Sequence, residues 1–144
     1  MKELSRQTKR ALNQVLLSSA VNGDDLIREL IKLGANVNSE DEYGNTALML
    51  ASYNGHKKIV KRLLDAGADP NLAAVNKETA LFDACSRGYL EIVKLLIEAG
   101  ANVNVMNVHG ATALGVSRYY KFNEIYDLLI EAGAIEQIGH KESK

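Results

Sequence analysis

The sequence predicts an all-α solenoid in which four like-sized pairs of short helices stack side by side. Three observations predict it. A Gly-Ala dipeptide recurs with a constant step of 33 residues, at Gly34, Gly67, Gly100 and Gly133. A Thr-Ala-Leu tripeptide recurs with the same step of 33, beginning at Thr46, Thr79 and Thr112. Between these markers, apolar residues fall in pairs one helical turn apart, which indicates amphipathic helices.

A short inner helix is predicted directly after each of the three threonines. The segments are TALMLASYN, TALFDACSR and TALGVSRYY. Threonine is a favoured N-cap because its hydroxyl accepts a hydrogen bond from a free backbone N–H at the helix start. We therefore expect Thr46, Thr79 and Thr112 to cap the inner helices of the second, third and fourth units.

An outer helix is predicted after each inner helix, with its apolar residues on a single buried stripe. The three stripes are Ile59, Val60, Leu63 and Leu64; Ile92, Val93, Leu96 and Ile97; and Ile125, Tyr126, Leu129 and Ile130. Gly67, Gly100 and Gly133 are expected to end these helices in the left-handed conformation. The Asn-rich segments ADPN and ANVN then lead through a hairpin-like turn into the next unit.

This pattern resembles the ankyrin repeat, a family with a period of 33 residues and a T-P-L-H-x-A signature. The resemblance covers about residues 11–135. Alanine replaces the signature proline in every unit, and Met49, Phe82 and Gly115 replace the signature histidine. In the family, that histidine helps to tie adjacent turns by hydrogen bonding. We therefore expect the turns here to be held more by apolar packing.

The resemblance implies an ankyrin-repeat solenoid of four helix-turn-helix repeats with hairpin-like connecting turns. We expect a basic lead-in at 1–10, the repeat domain at 11–138 and a short tail at 139–144. The four repeats are expected at about 11–40, 41–73, 74–106 and 107–138.

The terminal units depart from the pattern in a way that suggests capping. The first unit lacks the Thr-Ala-Leu turn. In the last unit, Arg118 occupies the slot held by Ala20, Ser52 and Cys85 in the units before it. A small residue there lets neighbouring inner helices approach, so a guanidinium predicts that no further repeat follows. Terminal repeats with a polar outer face are what a stacked array requires for solubility.

Composition excludes several functional classes. Lys and Arg total 17 against 18 Asp and Glu, a net charge of −1, which argues against a dedicated nucleic-acid binder. No apolar run approaches the roughly 20 residues that cross a bilayer, so we expect no membrane insertion. Cys85 is the single cysteine, which excludes an intrachain disulfide and a multi-cysteine zinc site. Lys2, Arg6, Lys9 and Arg10 precede a short apolar stretch, but Asn13 and Gln14 interrupt it. We expect a cytoplasmic protein without a signal peptide.

The resemblance also implies a function, because ankyrin arrays bind protein partners through a concave face of turn tips and inner helices. We expect a non-enzymatic interaction module, an adaptor or an inhibitor, that is a monomer and needs no cofactor. Carried over position by position, the partner-binding residues are Glu42, Tyr43, Asn45, Tyr53, Asn54, Asn76, Glu78, Asp83, Ser86, Arg87, His109, Tyr119 and Tyr120. Tyrosine and arginine are favoured interface anchors. Alternatively, the tyrosine rings cover neighbouring aliphatic surface.

Two other functional classes stay open. A Cys85–His109 pair is the one conceivable nucleophilic site of an enzyme, although Cys85 occupies a packing slot where a buried thiol is the usual outcome. The three histidines show no metal-ligand spacing, and no glycine-rich phosphate loop follows a strand. The basic residues of the second unit's outer helix are interpreted as a solvated face, with contact to an acidic partner or an anionic surface as the alternative; they are His56, Lys57, Lys58, Lys61 and Arg62. An engineered scaffold is the other alternative, but its repeats would be nearly identical.

Overall fold

A computed structural model describes residues 3–136, which form eight α-helices in four successive helix-turn-helix units. The helices are α1 (Arg6–Asn22), α2 (Ile27–Lys32), α3 (Ala47–Tyr53), α4 (Lys57–Asp65), α5 (Ala80–Arg87), α6 (Leu90–Glu98), α7 (Ala113–Tyr119) and α8 (Asn123–Glu131). The odd-numbered helices form an inner layer and the even-numbered ones an outer layer, each packed against its neighbours in the same layer. The predicted all-α solenoid is confirmed.

The three predicted threonine caps are present. The hydroxyls of Thr46, Thr79 and Thr112 accept hydrogen bonds from the backbone N–H three residues further on, at 3.3, 3.4 and 3.0 Å. All three threonines are buried, so each cap satisfies a donor that water does not reach. The Thr-Ala-Leu marker therefore starts an inner helix in each of the last three units.

The outer helices end at the predicted glycines. Gly67, Gly100 and Gly133 have positive φ angles of 91°, 91° and 98°, the left-handed region that favours glycine. At the end of α4, the Ala68 N–H donates to the Leu63 carbonyl at 2.9 Å, which closes a Schellman motif. The repeated Gly-Ala dipeptide is thus the C-terminal stop of an outer helix.

The core is one continuous apolar layer shared by all four units. Its largest fully buried side chains include Leu16, Ile27, Leu48, Met49, Ile59, Leu63, Leu81, Leu96, Leu114 and Leu129. The small-residue slot behaves as predicted, since Ala20, Ser52 and Cys85 are fully buried between inner helices. Arg118 in the last unit is exposed and forms a salt bridge with Glu136.

The first unit differs from the expected boundaries. Helix α1 begins at Arg6, inside the segment expected to be a lead-in, and Ser5 caps it by accepting from the Thr8 N–H at 3.1 Å. With 17 residues, α1 is about twice as long as the other inner helices. The predicted tail at 139–144 lies outside the described residues.

Hydrogen bonds between successive turns tie the units together, which the sequence did not predict. The Val75 N–H donates to the Tyr43 carbonyl, and the Val108 N–H donates to the Asn76 carbonyl, both at 3.0 Å. Apolar packing therefore does not hold the turns by itself. Backbone groups at the turn tips supply polar ties between successive units.

Two turns are also stiffened from within by a single side chain. One carboxylate oxygen of Asp41 and the amide oxygen of Asn107 each accept from the backbone N–H groups two and four residues further on, all at 2.9 Å. Such Asx turns replace water as the partner of the turn's backbone. The turn tips are therefore held in one conformation.

Asparagines in the Asn-rich segments form a second set of ties between units. Asn38, Asn71 and Asn104 each accept a hydrogen bond from the backbone N–H 31 residues further on, at 2.9, 2.7 and 2.8 Å. The amide groups of Asn71 and Asn104 also donate to the carbonyls of Gly100 and Gly133, at 3.1 and 3.2 Å. Each asparagine thus links the end of its own outer helix to the next unit.

The interpretation of His56 as part of a solvated face is wrong. Its ring lies over Gly23, where an added Cβ would come within 2.8 Å of it, and its Nε2 donates to the Val21 carbonyl at 2.9 Å. Arg62 is likewise partly buried against the first unit, where it pairs with Asp25 at 3.1 Å. That pairing lowers the pKa of the Asp25 carboxyl. These two residues dock α4 onto the preceding unit.

Candidate protein-binding face

The turn tips and the exposed flanks of the inner helices lie along one side of the stack, which we call the inner face. All the residues predicted to bind a partner belong to these elements. The threonine caps and the ties between turns hold the tips in place relative to the helices. The inner face is therefore a surface whose shape is largely set before any partner binds.

A groove of about 260 Å³ lies on the inner face between the second and third units. Its lining is Asn45, Met49, Leu50 and Tyr53 from the second unit, and Asn76, Glu78 and Asp83 from the third. We call it the Asp83 groove. Drug-sized ligands occupy pockets of about 300–1,000 Å³, so this groove suits a single side chain better than a cofactor.

Asp83 is the unusual residue of the groove. Burial, together with the nearby negative charge of Glu78, raises the pKa of the Asp83 carboxyl to about 8. Within residues 3–136, the one side-chain hydrogen bond at Asp83 runs from the Ser86 hydroxyl to the Asp83 backbone carbonyl, and none reaches its carboxyl group. A carboxyl that is desolvated and lacks a donor is expected to stay largely protonated at neutral pH.

The polar walls of the groove are fixed by their own hydrogen bonds. Glu78 accepts from the side-chain amide of Asn107 in the next turn, at 3.0 Å. Asn45 donates to the Asp41 carboxylate at 3.2 Å. Because these side chains are already restrained, a bound group would lose little free energy to ordering them.

An arginine–tyrosine contact lies beside the groove. The guanidinium carbon of Arg87 lies 4.7 Å from the centroid of the Tyr53 ring, a cation–π geometry. Hydrogen bonding to Tyr89, followed by the charge interactions with Tyr89 and Tyr53, raises the pKa of Arg87. Arg87 follows Asp83 by one helical turn, yet the salt bridges of residues 3–136 do not join the two.

Two tyrosines stand at the C-terminal end of the inner face. Tyr119 is 78% exposed and Tyr120 is 54% exposed. Their rings meet edge to face with centroids 5.0 Å apart, and Tyr120 also stacks on Phe122 at 5.7 Å. Tyr120 therefore covers an apolar neighbour, in line with the alternative interpretation of the tyrosines. Tyr119 covers little and presents most of its ring to solvent.

The other predicted residues are not part of the groove. Glu42, Tyr43 and His109 are exposed at the turn tips. Asn54 and Ser86 complete helix ends, since Asn54 donates to the Leu50 carbonyl at 2.7 Å and Ser86 donates to the Asp83 carbonyl at 2.9 Å. These last two side chains have structural partners already.

Sequence reasoning missed Met49 as a residue of the groove. Met49 is 2% exposed and lies at the position of the signature histidine, in the first turn of α3. The position of Met49 in the sequence could have identified it. The flank of an inner helix that follows a turn tip faces the same side as the tip, and Met49 follows such a tip. A thioether there gives the groove an apolar wall that adapts to its occupant.

The Cys85–His109 pair does not have the properties of a nucleophilic site. Cys85 is fully buried, and burial raises the pKa of its thiol to about 12. His109 is exposed at a turn tip. A thiol with so high a pKa supplies almost no thiolate at neutral pH. Over residues 3–136, no cluster of three or more His, Cys, Asp or Glu side chains is arranged to hold a metal ion.

Comparison with known proteins agrees with this architecture. A family model described as ankyrin repeats (3 copies) matches residues 2–74 and again residues 67–139. The chain belongs to the ankyrin repeat family.

Over 51 residues it is 43% identical to the ankyrin repeat domain-containing protein SAT10 of Stachybotrys chartarum. That match covers 35% of this chain and 3% of the relative. Ankyrin repeats are generally protein–protein interaction modules. None of the helices in residues 3–136 is long and apolar enough to span a membrane.

Proposed function

We propose that this chain is a non-enzymatic adaptor or inhibitor that binds a protein partner through its inner face. The observation that carries the proposal is the set of exposed aromatic and cationic side chains on a restrained frame. Tyr53, Arg87 and Tyr119 lie on successive inner helices, and each belongs to a residue type favoured at binding hot spots.

The restrained frame supports binding for an energetic reason. Association costs free energy when loops and side chains must be ordered, and a preformed surface reduces that cost. Here the turn tips are linked through backbone hydrogen bonds at Val75 and Val108, and Asx turns stiffen two of them. A surface of this kind favours a folded partner or an extended segment that fits it without rearrangement.

We propose further that the protein acts as a monomer in the cytoplasm. The single cysteine is a buried free thiol, which suits a reducing compartment. The side-by-side stacking of units buries Ile59, Ile92 and Ile125 of the outer helices within the chain, so a second copy is not needed to cover these residues. Ile130, predicted to belong to the buried stripe of α8, is 44% exposed.

The test is affinity capture from the native lysate with the immobilised full chain. We expect the double variant Tyr53→Ala/Tyr119→Ala to lose the partner that the wild type captures. The matched control is Lys58→Ala/Lys61→Ala on the exposed side of α4, which should capture it as the wild type does. Melting curves establish that each variant is folded. Equal capture by the folded tyrosine variant contradicts the proposal.

A further inference from the structure

The Asp83 groove presents acceptors on a partly apolar lining. Asp83 and Glu78 each contribute a carboxyl group to the groove. The side-chain nitrogen of Asn45 donates to Asp41, so the side-chain oxygen of Asn45 is available as a further acceptor. Met49 and Tyr53 supply an apolar and an aromatic wall. This combination matches a side chain that has a cationic head and an aliphatic stem.

We infer that the Asp83 groove receives one arginine or lysine side chain of the protein partner, which pairs with the Asp83 and Glu78 carboxylates. The inference rests on the proposed function, because the basic side chain is supplied by the partner that binds the inner face. The partner is thus a protein whose contacting segment carries a basic residue at this point.

Charge complementarity distinguishes a cation from other occupants. Glu78 is a carboxylate and Asp83 becomes one when it loses its proton, so an acidic occupant would meet like charge and a cation would meet opposite charge. Binding of a cation favours the ionised form of Asp83, which burial otherwise disfavours. A metal ion is a poorer fit, because the groove offers two carboxyl groups and Ca²⁺ takes about 6–8 oxygen ligands.

The cation closest in sequence to Asp83 does not pair with it. Arg87 is four residues after Asp83, at the spacing where helical ion pairs form. Its guanidinium instead lies over Tyr53. Glu78 is held by the neutral amide of Asn107. The carboxyl groups of the groove are therefore free of an internal cationic partner among residues 3–136.

The test selects a displayed library of random peptides on the full chain at neutral pH. The parallel selections use Asp83→Asn and the control Asp127→Asn, which removes one exposed carboxylate from α8. We expect peptides enriched on the wild type and the control to share a basic residue at a fixed position. That preference should disappear on Asp83→Asn, since asparagine keeps the size of the side chain but cannot ionise to pair with a bound cation.

A synthetic copy of the enriched peptide then gives the magnitude. Its affinity should fall about tenfold or more on Asp83→Asn, the size of effect expected when one partner of a desolvated charge pair is removed. Replacing its basic residue by norleucine should weaken binding to the wild type by a similar factor, and to Asp83→Asn by much less. Should Asp83→Asn fail to fold, Glu78→Gln serves in the same comparison.

The outcomes separate the two proposals. Enriched peptides without a basic preference, or with equal affinity for Asp83→Asn, overturn the inference and leave the inner face as a binding surface. Two other outcomes contradict the proposed function and the inference with it. One is that peptides enrich equally on a chain carrying Tyr53→Ala/Tyr119→Ala. The other is that no peptide enriches on any folded chain.

Discussion

Arg87 and Tyr53 join the second and third inner helices across the inner face, with the guanidinium carbon 4.7 Å from the ring centroid. The contact places an aromatic ring and a cation side by side on the inner face. It also leaves Asp83, one turn before Arg87, without that cation as its counter-ion. The position of the Arg87 side chain thus explains both why Tyr53 has a restraining contact and why the Asp83 carboxyl has no cationic partner on the same helix.

The Arg87–Tyr53 contact is predicted to stabilise the fold as a coupled pair. A double-mutant cycle with Arg87→Met and Tyr53→Leu should give a favourable coupling free energy in urea unfolding, because each single change removes the cation or the ring. A coupling of zero within error would show that the two side chains do not interact in solution.

The raised pKa of Asp83 predicts how the free energy of unfolding depends on pH. Its folded-state pKa of about 8 lies above the unfolded value of 3.8. The folded state therefore binds the proton more tightly, and this contribution to stability is fully present below about pH 4 and is lost as the pH rises through 8.

The measurement is the free energy of unfolding from urea titrations across that pH range. Compared with Asp83→Asn, the wild type should become progressively less stable between pH 4 and 8. Asp127→Asn, which changes an exposed carboxyl, should show no such trend against the wild type. Parallel curves for wild type and Asp83→Asn would mean that Asp83 is solvated.

Asn71 is predicted to stabilise the array by linking two units. Asn71→Ala removes an acceptor of the Asn102 N–H at 2.7 Å and a donor to the Gly100 carbonyl at 3.1 Å. We expect the free energy of unfolding to fall by about 1–3 kcal/mol, since each net hydrogen bond contributes about 0.5–1.5 kcal/mol. Asn22→Ala, at an exposed position that ends α1, is the control. Equal effects of the two variants would rule out the linking role.

Cys85 is predicted to be unreactive in the native state. Burial raises the pKa of its thiol to about 12, so a thiol reagent at neutral pH meets neither access nor thiolate. Labelling should be slow in buffer and complete in denaturant. Rapid stoichiometric labelling of the folded chain would reopen the hypothesis of a nucleophilic cysteine.

Local sequence signals were sufficient for the fold. Thr46 could be recognised as a cap because its residue type and its position before a helical pattern point to the same role, and Gly67 could be recognised as a stop for the same reason. Both interactions are made within a few residues. The stacking of units then follows from the apolar stripes, because each stripe requires a neighbour to bury it.

Contacts between units were harder to predict. His56 was assigned to a solvated face because three of the next six residues are lysines, but its ring packs on Gly23 of the preceding unit. The sequence placed Asp83 on the inner face, but its altered pKa depends on how deeply the neighbouring unit buries it. Such effects arise from distances between units, which a single sequence does not supply.

The most direct test of the inner face as the binding surface is an NMR shift-mapping experiment. The ¹⁵N-labelled chain is titrated with a peptide selected from the random library, and backbone amide shifts are followed. We predict that the largest changes cluster at α3, α5 and the turn tips, around Tyr53 and Asp83. The largest changes on α4, α6 and α8 would contradict it.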